Sequence, residues 1–297
     1  MDGQRPGRDP SGGTPPDEAT AGSVLAGLDR SLKDSCGGRL VLETSAGVPL
    51  LLARLPAKLR VAFTTRLGGV SDPPYAGLDL SAKTGDQAGA VGENLARLHR
   101  ALERVDDEAE RTAMHSAITL ISPSQVHGTR VVGAAEHRVE GVEADGLVLH
   151  PDLDRGTAAL LLFADCVPVV MVGEVDTAVV HAGRRGLLEG VIQRGARAMT
   201  GPPALAFVGP SIGPCCYEVG EDLRQLFAKR YGGGAVIGDR LDLWGATEAA
   251  LGEIGVPRGN VVNPRLCTSC QTELFYSHRR EGPRTGRQGA LAWWSGT

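Results

Sequence analysis

The sequence is poor in lysine and aromatic residues and has no long uninterrupted apolar run. Its 297 residues include only four lysines, and aromatic side chains make up 4% of the chain. No glycine is followed by lysine, which excludes a Walker-type phosphate-binding loop, and the HExxH pattern of many metalloprotease helices is also missing. A net charge of −4 argues against nucleic acid or an anionic membrane surface as a partner.

The apolar segments are too short for a transmembrane helix. The longest nearly apolar stretch runs from Ala158 to Val172 and is interrupted by Asp165, whereas a membrane-spanning helix needs roughly 20 apolar residues. The first residues lack the apolar segment of a secretory signal. Six cysteines in such a chain are expected to be thiols or metal ligands rather than disulfides, and we expect the protein to be cytoplasmic.

Glycine and proline separate a tail from a folded part. They are concentrated in residues 1–23, a composition typical of disorder. We therefore predict that residues 1–35 are a disordered tail, with weak helical potential from residue 24. Residues 36–297 contain no internal repeat and no linker rich in proline and serine, so we expect one catalytic domain there.

The folded part is predicted to be mixed α/β, with sheets flanked by helices. Short apolar runs predict strands at Leu40–Glu43, Pro49–Leu55 and Val61–Thr65, and further strands follow up to Val180. Because many strands precede the helices, the strict alternation of a doubly wound nucleotide-binding fold is absent.

Apolar periodicity predicts the helices. Val91, Leu95, Leu98 and Leu102 recur at helical spacing, and one further helix is predicted from Leu187 to Met199. Two more helices are predicted at Glu221–Tyr231 and Leu243–Ile254.

Three separated residues could form a metal centre. His127, Cys166 and His181 each lie beside a predicted strand end or turn. Catalytic zinc sites gather three protein ligands and leave a position open for water or substrate. Two imidazoles and a thiolate suit Zn²⁺, with copper as a competitor. In other interpretations, Cys166 is a packed core residue and the histidines are satisfied polar groups, or Cys166 is a nucleophile with a histidine base.

Two further motifs contain potential nucleophiles or ligands. The segment Gly209–Gly213 matches the G-x-S-x-G pattern around Ser211, but Pro214 follows at once where a nucleophile elbow would enter a helix. We interpret this segment as a loop that shapes a pocket. Cys267 and Cys270 form a single CxxC motif, and without a second CxxC we interpret them as structural cysteines rather than as a zinc or redox site.

Eight segments, in order, resemble one protein family. They are FTTRLGGVSDPPYAGLDL, SQVHG, EADGLV, ADCVPVV, HAGRRGL, VGPSIGPCCYEVG, LDLW and CTSCQTELFYSHRREG with the TGR that follows. The family comprises the laccase-domain polyphenol oxidoreductases, also called peptidoglycan editing factors, or purine nucleoside phosphorylases of that fold. The resemblance covers the chain from Arg60 to Gly289.

The resemblance implies an α/β sandwich, distantly like certain cysteine hydrolases, with a His–Cys–His metal centre. Matched motif by motif, its ligands are His127 of SQVHG, Cys166 of ADC and His181 of HAG. Family members are associated with zinc-dependent phosphorolysis of adenosine, inosine and S-methyl-5'-thioadenosine, and with adenosine deamination. Copper-dependent oxidation of phenols and editing of a cell-wall precursor have also been attributed to them. Many members have tryptophan where this chain has Arg184, so the pocket wall is expected to differ.

From the sequence we therefore expect a zinc-dependent purine nucleoside phosphorylase with adenosine deaminase side activity. Its partners would be small molecules, a purine nucleoside and phosphate. The alternatives are a hydrolase that edits a peptidoglycan precursor, with Cys166 attacking and His181 as base, and a copper-dependent polyphenol oxidoreductase. Charge and position, not the resemblance, suggest the candidate phosphate ligands, which are Arg184, Arg185, Arg279, Arg280 and Arg66. The sequence defines no oligomeric state, and a monomer is expected.

Overall fold

The protein is described here from a computed structural model, which covers residues 17–105, 118–137 and 141–295. Two six-stranded sheets pack face to face, and helices cover their outer faces. This arrangement confirms the mixed α/β architecture expected from the sequence.

The helices of this part of the chain are α1 (Glu18–Cys36), α2 (Ala88–Val105), α3 (Ala134–His137), α4 (Arg184–Glu189), α5 (Val191–Ala198), α6 (Glu221–Tyr231), α7 (Leu243–Glu253) and α8 (His278–Glu281). The strands are β1 (Val41–Ser45), β2 (Val48–Arg54), β3 (Leu59–Thr64), β4 (Thr119–Ile121), β5 (Val131–Gly133), β6 (Gly146–Leu149), β7 (Thr157–Phe163), β8 (Val167–Val172), β9 (Thr177–Ala182), β10 (Leu205–Val208), β11 (Val236–Ile237), β12 (Arg240–Leu241), β13 (Val261–Val262) and β14 (Gln288–Trp294).

The first sheet has the strand order β1-β2-β3-β14-β7-β4, and the second has the order β13-β10-β8-β9-β6-β5. Strand β14, from the end of the described chain, lies between β3 and β7 and is antiparallel to both. Every residue of β9 is buried, as is every residue of β8 except Val172. Such continuous apolar strands fit a sheet that is covered on both faces.

Aromatic and aliphatic side chains fill the space between the sheets. Phe63, Phe163 and Phe207 are almost fully buried there. On the outer side of the first sheet, α2 packs through the apolar stripe that predicted it, including Leu98 and Leu102. The outer side of the second sheet is covered by α4 to α7. Among the described residues, no helix combines the length and apolarity needed to cross a bilayer.

The disordered tail that we predicted over residues 1–35 is too long, because its second half forms a helix. Residues 1–16 lie outside the described residues, but α1 begins at Glu18, after Asp17, whose side chain accepts a hydrogen bond from the Thr20 amide at 2.8 Å. Leu28 and Leu32 of α1 are buried against the core between the sheets. The prediction was wrong because an apolar stripe two turns long was outweighed by the polar composition around it.

The helix predicted from Leu187 to Met199 is two helices. Gly190 separates α4 from α5 and adopts a left-handed conformation with φ 84°. Glycine adopts this conformation without a steric penalty and commonly ends helices. The apolar periodicity continues across the break, which is why it predicted one helix.

Candidate active site

Three neighbouring strands of the second sheet, β8, β9 and β6, bring residues of the candidate site to the same strand end. Cys166 immediately precedes β8, and His181 lies near the end of β9, opposite Pro168 of β8. Asp145 immediately precedes β6, the other neighbour of β9. His127 comes from the loop between β4 and β5. Residues that are distant in sequence therefore meet because their strands pair.

His127, Cys166 and His181 form a compact set of metal-ligating atoms. One ligand atom from each lies within 4.8 Å of the others. The imidazole rings of the two histidines meet edge to face, with their centroids 4.8 Å apart. His181 is buried, Cys166 is half-buried and His127 is exposed, so the set is open to solvent on the His127 side.

Asp145 holds both histidines. Its Oδ1 accepts a hydrogen bond from His181 Nδ1 at 2.8 Å and another from the backbone N–H of His127 at 2.9 Å. Its Oδ2 accepts from the N–H of Gly128 at 2.6 Å and of Val126 at 3.3 Å. These bonds support the left-handed backbone of His127, with φ 59°. Metal-ligating histidines almost always donate their second ring nitrogen to a carboxylate, a carbonyl or water in this way.

Without a metal ion, the cluster favours a charged form. Burial raises the pKa of Cys166, but the charge of His181 and hydrogen bonds from both histidines outweigh it and lower the pKa to about 6. Burial lowers the pKa of His181, but Cys166 and Asp145 outweigh it and raise the pKa to about 9. Near neutral pH, Cys166 is therefore a thiolate beside an imidazolium, which is the form in which sulfur binds metals or attacks electrophiles.

Gly183 provides the space in which the three ligands meet. A Cβ at this position would lie 3.2 Å from Cys166 Sγ, 3.3 Å from His127 Cδ2 and 3.8 Å from His181 Nε2. Its backbone is extended, with φ −69°, so the requirement for glycine comes from crowding and not from conformation.

The ligand set lies in a cleft of about 1010 Å³. We call this space the cleft; besides the three ligands it is lined by Leu80, Ser81, Ala82, Lys83, Thr84, Leu95, Ser122, Pro123, Ser124, Gln125, Leu162, Ala164, Asp165, Arg184, Arg185, Ile212, Tyr217, Leu243, His278, Arg279, Gly282, Pro283 and Arg287. The lining combines apolar side chains with a small number of charged ones, as is typical of small-molecule sites.

Asp165 connects three segments around the neighbouring Cys166. Its carboxylate accepts hydrogen bonds from Thr268 Oγ1 and from the backbone N–H of Arg279, both at 2.6 Å. Its carbonyl accepts the Ile212 N–H at 2.9 Å. Burial raises the pKa of Asp165, although these hydrogen bonds oppose the rise. These hydrogen bonds connect the segments of Thr268, Arg279 and Ile212 to the residue that precedes Cys166.

Three of the five candidate phosphate ligands line the cleft. They are Arg184, Arg185 and Arg279. Arg279 lies over the ring of Tyr217, 4.9 Å from its centroid, and donates to the Glu218 carbonyl at 2.7 Å. Arg185 is largely exposed and pairs with Glu189 at 2.8 Å.

Arg66 does not fit the role of a phosphate ligand that the sequence suggested. Its side chain is completely buried and forms an ion pair with Glu281 at 2.7 Å. Its guanidinium also donates to the carbonyls of Ala76 and Thr272 and lies 4.4 Å from the centroid of the Tyr276 ring. With its donors engaged inside the protein, Arg66 stabilises the fold. Arg280, like Arg66, is not among the described residues that line the cleft.

The loop around Ser211 shapes the cleft, as interpreted from its sequence. Ser211 is fully buried, and its Oγ accepts a hydrogen bond from Trp244 Nε1 at 2.8 Å. Its side chain therefore has no access to a substrate. Ile212 and Tyr217 of the same loop line the cleft.

Sequence reasoning assigned no role to several residues of the site. Asp145 stands in the quoted segment EADGLV, and a carboxylate directly before a buried strand is the signal that could have identified it. Lys83 and Arg287 also line the cleft. Lys83 donates to Ser124 Oγ at 2.8 Å, and Arg287 donates to the Thr285 and Gly286 carbonyls. Neither cation stands out in sequence, because isolated basic residues are usually solvated.

Comparisons with known proteins place this site in a family. A sequence profile of the multi-copper polyphenol oxidoreductase laccase family matches residues 60–295. A purine nucleoside phosphorylase from Deinococcus radiodurans is 37% identical over 267 residues, covering 84% of this chain and 94% of that protein. The purine nucleoside phosphorylase YfiH from Shigella flexneri is 32% identical over 249 residues, covering 80% and 95%. A solved Neisseria meningitidis structure matches with a TM-score of 0.70 at 29% identity, covering 87% of this chain and 100% of that one.

Proposed function

The chain belongs to the multi-copper polyphenol oxidoreductase laccase family, and from this premise we propose that it is a zinc-dependent purine nucleoside phosphorylase. Its substrates would be adenosine, inosine and S-methyl-5'-thioadenosine, with adenosine deamination as a second activity. The observation that carries the proposal is the set of His127, Cys166 and His181 within a cleft lined by cations. The relatives named purine nucleoside phosphorylase support this choice of reaction.

The donor set fits zinc. Two imidazoles and a thiolate are the ligands zinc accepts, and catalytic zinc sites combine three protein ligands with one open position. The hydrogen bond from His181 Nδ1 to Asp145 leaves Nε2 to act as the ligand atom, and the exposure of His127 leaves a side open to substrate. When bound, zinc supplies Lewis acidity, which makes water a nucleophile near neutral pH. Copper remains the competing ion for the same donors.

The cations of the cleft suit phosphate. Arg184 interacts with the Tyr217 hydroxyl, and Arg279 packs over the ring of the same tyrosine. Both guanidinium groups therefore interact with Tyr217 and line the same cleft, which supports the proposal that they bind one phosphate together. Charge-assisted hydrogen bonds of arginine to phosphate are about twice as strong as neutral ones. Phosphate held here would lie beside the sugar of a nucleoside whose base faces the ligand set.

His278 is our candidate for proton transfer to the leaving purine. It lines the cleft. Burial and the nearby Arg287 lower its pKa, so that the imidazole is neutral at physiological pH. A neutral imidazole acts as a base, so His278 would first accept a proton from dihydrogen phosphate, which leaves the phosphate dianion as the nucleophile. The imidazolium would then donate that proton to the purine nitrogen as the base departs, which returns His278 to its neutral form.

Product analysis tests the proposal. Purified protein is incubated with adenosine, with and without phosphate, and the products are separated by chromatography. We expect phosphate-dependent release of adenine with ribose 1-phosphate, and some inosine. Cys166→Ala should abolish both activities, whereas Cys36→Ala, which changes a buried cysteine of α1 outside the cleft, should retain them. Inosine formation with no effect of phosphate would reduce the function to deamination, and no product from zinc-loaded protein would contradict the proposal.

A cysteine hydrolase acting on a cell-wall precursor is the second candidate. The observation that favours it is the thiolate–imidazolium pair of Cys166 and His181, oriented by Asp145, which has the form of a nucleophile, a base and an orienting carboxylate. Metal content distinguishes the two functions, because a thiolate that binds zinc is not a free nucleophile. Stoichiometric zinc in active protein would contradict the hydrolase, and trapping of Cys166 by an amide-derived electrophile during turnover of metal-free protein would support it.

Copper-dependent oxidation of phenols is a weaker candidate. In the described part of the chain, the only group of candidate ligands that contains histidine is the set of His127, Cys166 and His181. A single set of this kind is too small for a conventional relay among several copper ions.

A further inference from the structure

Two pairs of cysteines that are far apart in sequence lie close together in the structure. Cys215 and Cys216 lie in the loop between β10 and α6, and Cys267 and Cys270 lie in the loop between β13 and α8. All four Sγ atoms lie within 4.8 Å of one another. We call these residues the four-cysteine cluster. The CxxC motif therefore has a partner, which its sequence did not show because the second pair is supplied by another loop.

We propose that the four-cysteine cluster binds a structural Zn²⁺ ion. Structural zinc sites are tetrahedral, with Zn–S distances of about 2.3 Å, and this geometry places neighbouring sulfurs roughly 3.8 Å apart. Cys270 Sγ lies 3.5 Å from that of Cys215 and 3.4 Å from that of Cys216, close to that separation. A disulfide would require a single pair about 2.05 Å apart, whereas here one sulfur approaches two others equally.

The local backbone supports a thiolate site. The N–H groups of Cys270 and Gln271 both donate to the Cys267 carbonyl, at 3.2 Å and 3.1 Å, which turns the CxxC segment back toward its start. The Gly213 N–H donates to Cys267 Sγ at 3.2 Å. Hydrogen bonds to ligating groups orient them and compensate the charge that they carry when bound. Binding would release four protons to solvent, one from each thiol, and leave a complex with net charge −2.

The cluster is accessible and separate from the cleft. Cys215 and Cys270 are exposed, so an ion can reach the cluster from solvent. Cys267 is buried, so its thiol would bind the ion from the side of the protein interior. The four cysteines are not among the described residues that line the cleft. The proposal therefore does not depend on the proposed function.

A metal ion bound by the four-cysteine cluster would cross-link two loops that contribute to the cleft or support it. The loop of Cys215 and Cys216 also carries Tyr217, which lines the cleft. The loop of Cys267 and Cys270 carries Thr268, whose hydroxyl donates to Asp165 beside Cys166. Without a metal ion, these loops are joined by the isolated β-bridge between Ser211 and Cys267 and by the backbone hydrogen bonds beside it. The zinc would add a cross-link directly behind the cleft wall.

Metal analysis of the full-length chain tests the proposal. The variant His127→Ala/Cys166→Ala removes two of the three candidate ligands in the cleft, and we expect it to retain about one zinc ion per chain. Adding Cys267→Ser/Cys270→Ser should remove that zinc, whereas adding Cys36→Ser should not. In the same background, cobalt should produce the thiolate-to-metal charge-transfer absorption of a four-sulfur site.

Three outcomes would overturn the proposal. The first is a folded His127→Ala/Cys166→Ala variant that contains no zinc and whose five remaining thiols titrate freely. The second is an intact mass reduced by two hydrogens per disulfide, and the third is zinc retained after Cys267→Ser/Cys270→Ser. If that last variant does not fold, Cys215→Ser provides the test, since Cys215 is exposed. It should weaken zinc binding in competition with a chelator and reduce the cobalt charge-transfer band. Unchanged affinity and an unchanged band would contradict a four-sulfur site.

Discussion

Asp145 and His181 are joined twice, once through their side chains and once through their backbones. His181 Nδ1 lies 2.8 Å from Asp145 Oδ1, and the His181 N–H donates to the Asp145 carbonyl at 2.7 Å. The side-chain bond sets the tautomer of the imidazole, and the backbone bond is part of the junction between β6 and β9. The orientation of one candidate metal ligand is thus determined by the pairing of two strands.

Asp145→Asn should weaken zinc binding roughly 10- to 100-fold, the usual effect of losing a carboxylate that orients a metal-ligating histidine. The amide keeps the size of the side chain but cannot accept from all the N–H groups that Asp145 now holds. The dissociation constant for zinc, measured by competition with a chelator, checks this. Asp152→Asn, at an exposed position, is the matched control, and equal affinities in the two variants would contradict the role of Asp145.

Gly183→Ala should prevent zinc from binding in the cleft without unfolding the protein. The new methyl group would press on Cys166 Sγ and His127 Cδ2, at 3.2 Å and 3.3 Å, while the backbone at φ −69° accepts alanine. Zinc content and thermal unfolding, measured on the same samples, separate the two effects. The control is Gly92→Ala in α2, where a Cβ meets nothing within 4 Å, and where alanine should stabilise the helix by about 1 kcal/mol. Normal zinc content in Gly183→Ala would disprove the crowding argument.

Local patterns predicted the elements of the fold better than their arrangement. The helix predicted at Glu221–Tyr231 has those bounds in the structure, because acidic residues begin it and basic residues end it. The order of strands could not be predicted, since apolar periodicity is the same whichever neighbour a strand pairs with. The insertion of β14 between β3 and β7 is one such case.

For the site, sequence motifs identified the atoms that meet but not what holds them. His127, Cys166 and His181 stand in short distinctive segments, and the structure brings them together. The role of Asp145 depends on three consecutive N–H groups from another loop. Arg66 was misassigned because its charge is visible in sequence, whereas its buried partner Glu281 is distant along the chain.

Arg279→Ala should weaken the use of phosphate, and Arg280→Ala should not, since only Arg279 lines the cleft. Loss of one hydrogen bond to a charged group costs about 1.5–3 kcal/mol, so kcat/KM for phosphate should fall roughly 10- to 100-fold. Deamination of adenosine needs no phosphate and should change little. Steady-state kinetics with varied phosphate checks the prediction, and equal losses of both activities in Arg279→Ala would contradict a phosphate-binding role.

Glu281→Gln should destabilise the protein by roughly 3–5 kcal/mol, because it leaves the guanidinium of Arg66 buried without its counter-charge. The side chains of this pair are 0% and 2% exposed. Urea-induced unfolding measures the change. Removing the exposed pair of Arg54 and Glu43 by Glu43→Gln should cost less than about 1 kcal/mol. A comparable cost for the two variants would contradict the structural role assigned to Arg66.

Alkylation of metal-free protein should report the charge state of Cys166. With its pKa lowered to about 6, the thiolate is lost below that pH and fully formed well above it, so the rate with iodoacetamide should rise through pH 6 and then level off. An ordinary thiol would continue to gain reactivity up to its pKa of about 8.5. Mass spectrometry of the peptide containing Cys166 follows the rate at each pH.

The same experiment identifies the source of the lowered pKa. His181→Asn removes the imidazolium, whose own pKa is raised to about 9, so the rise in alkylation should move toward the pH of an ordinary thiol. His150→Asn, at a histidine outside the cleft lining, should leave the profile unchanged. Bound zinc should protect Cys166 at every pH at which it stays bound. An unshifted profile in His181→Asn would mean that the thiolate is stabilised by other groups of the cleft, and would remove the main support for the hydrolase.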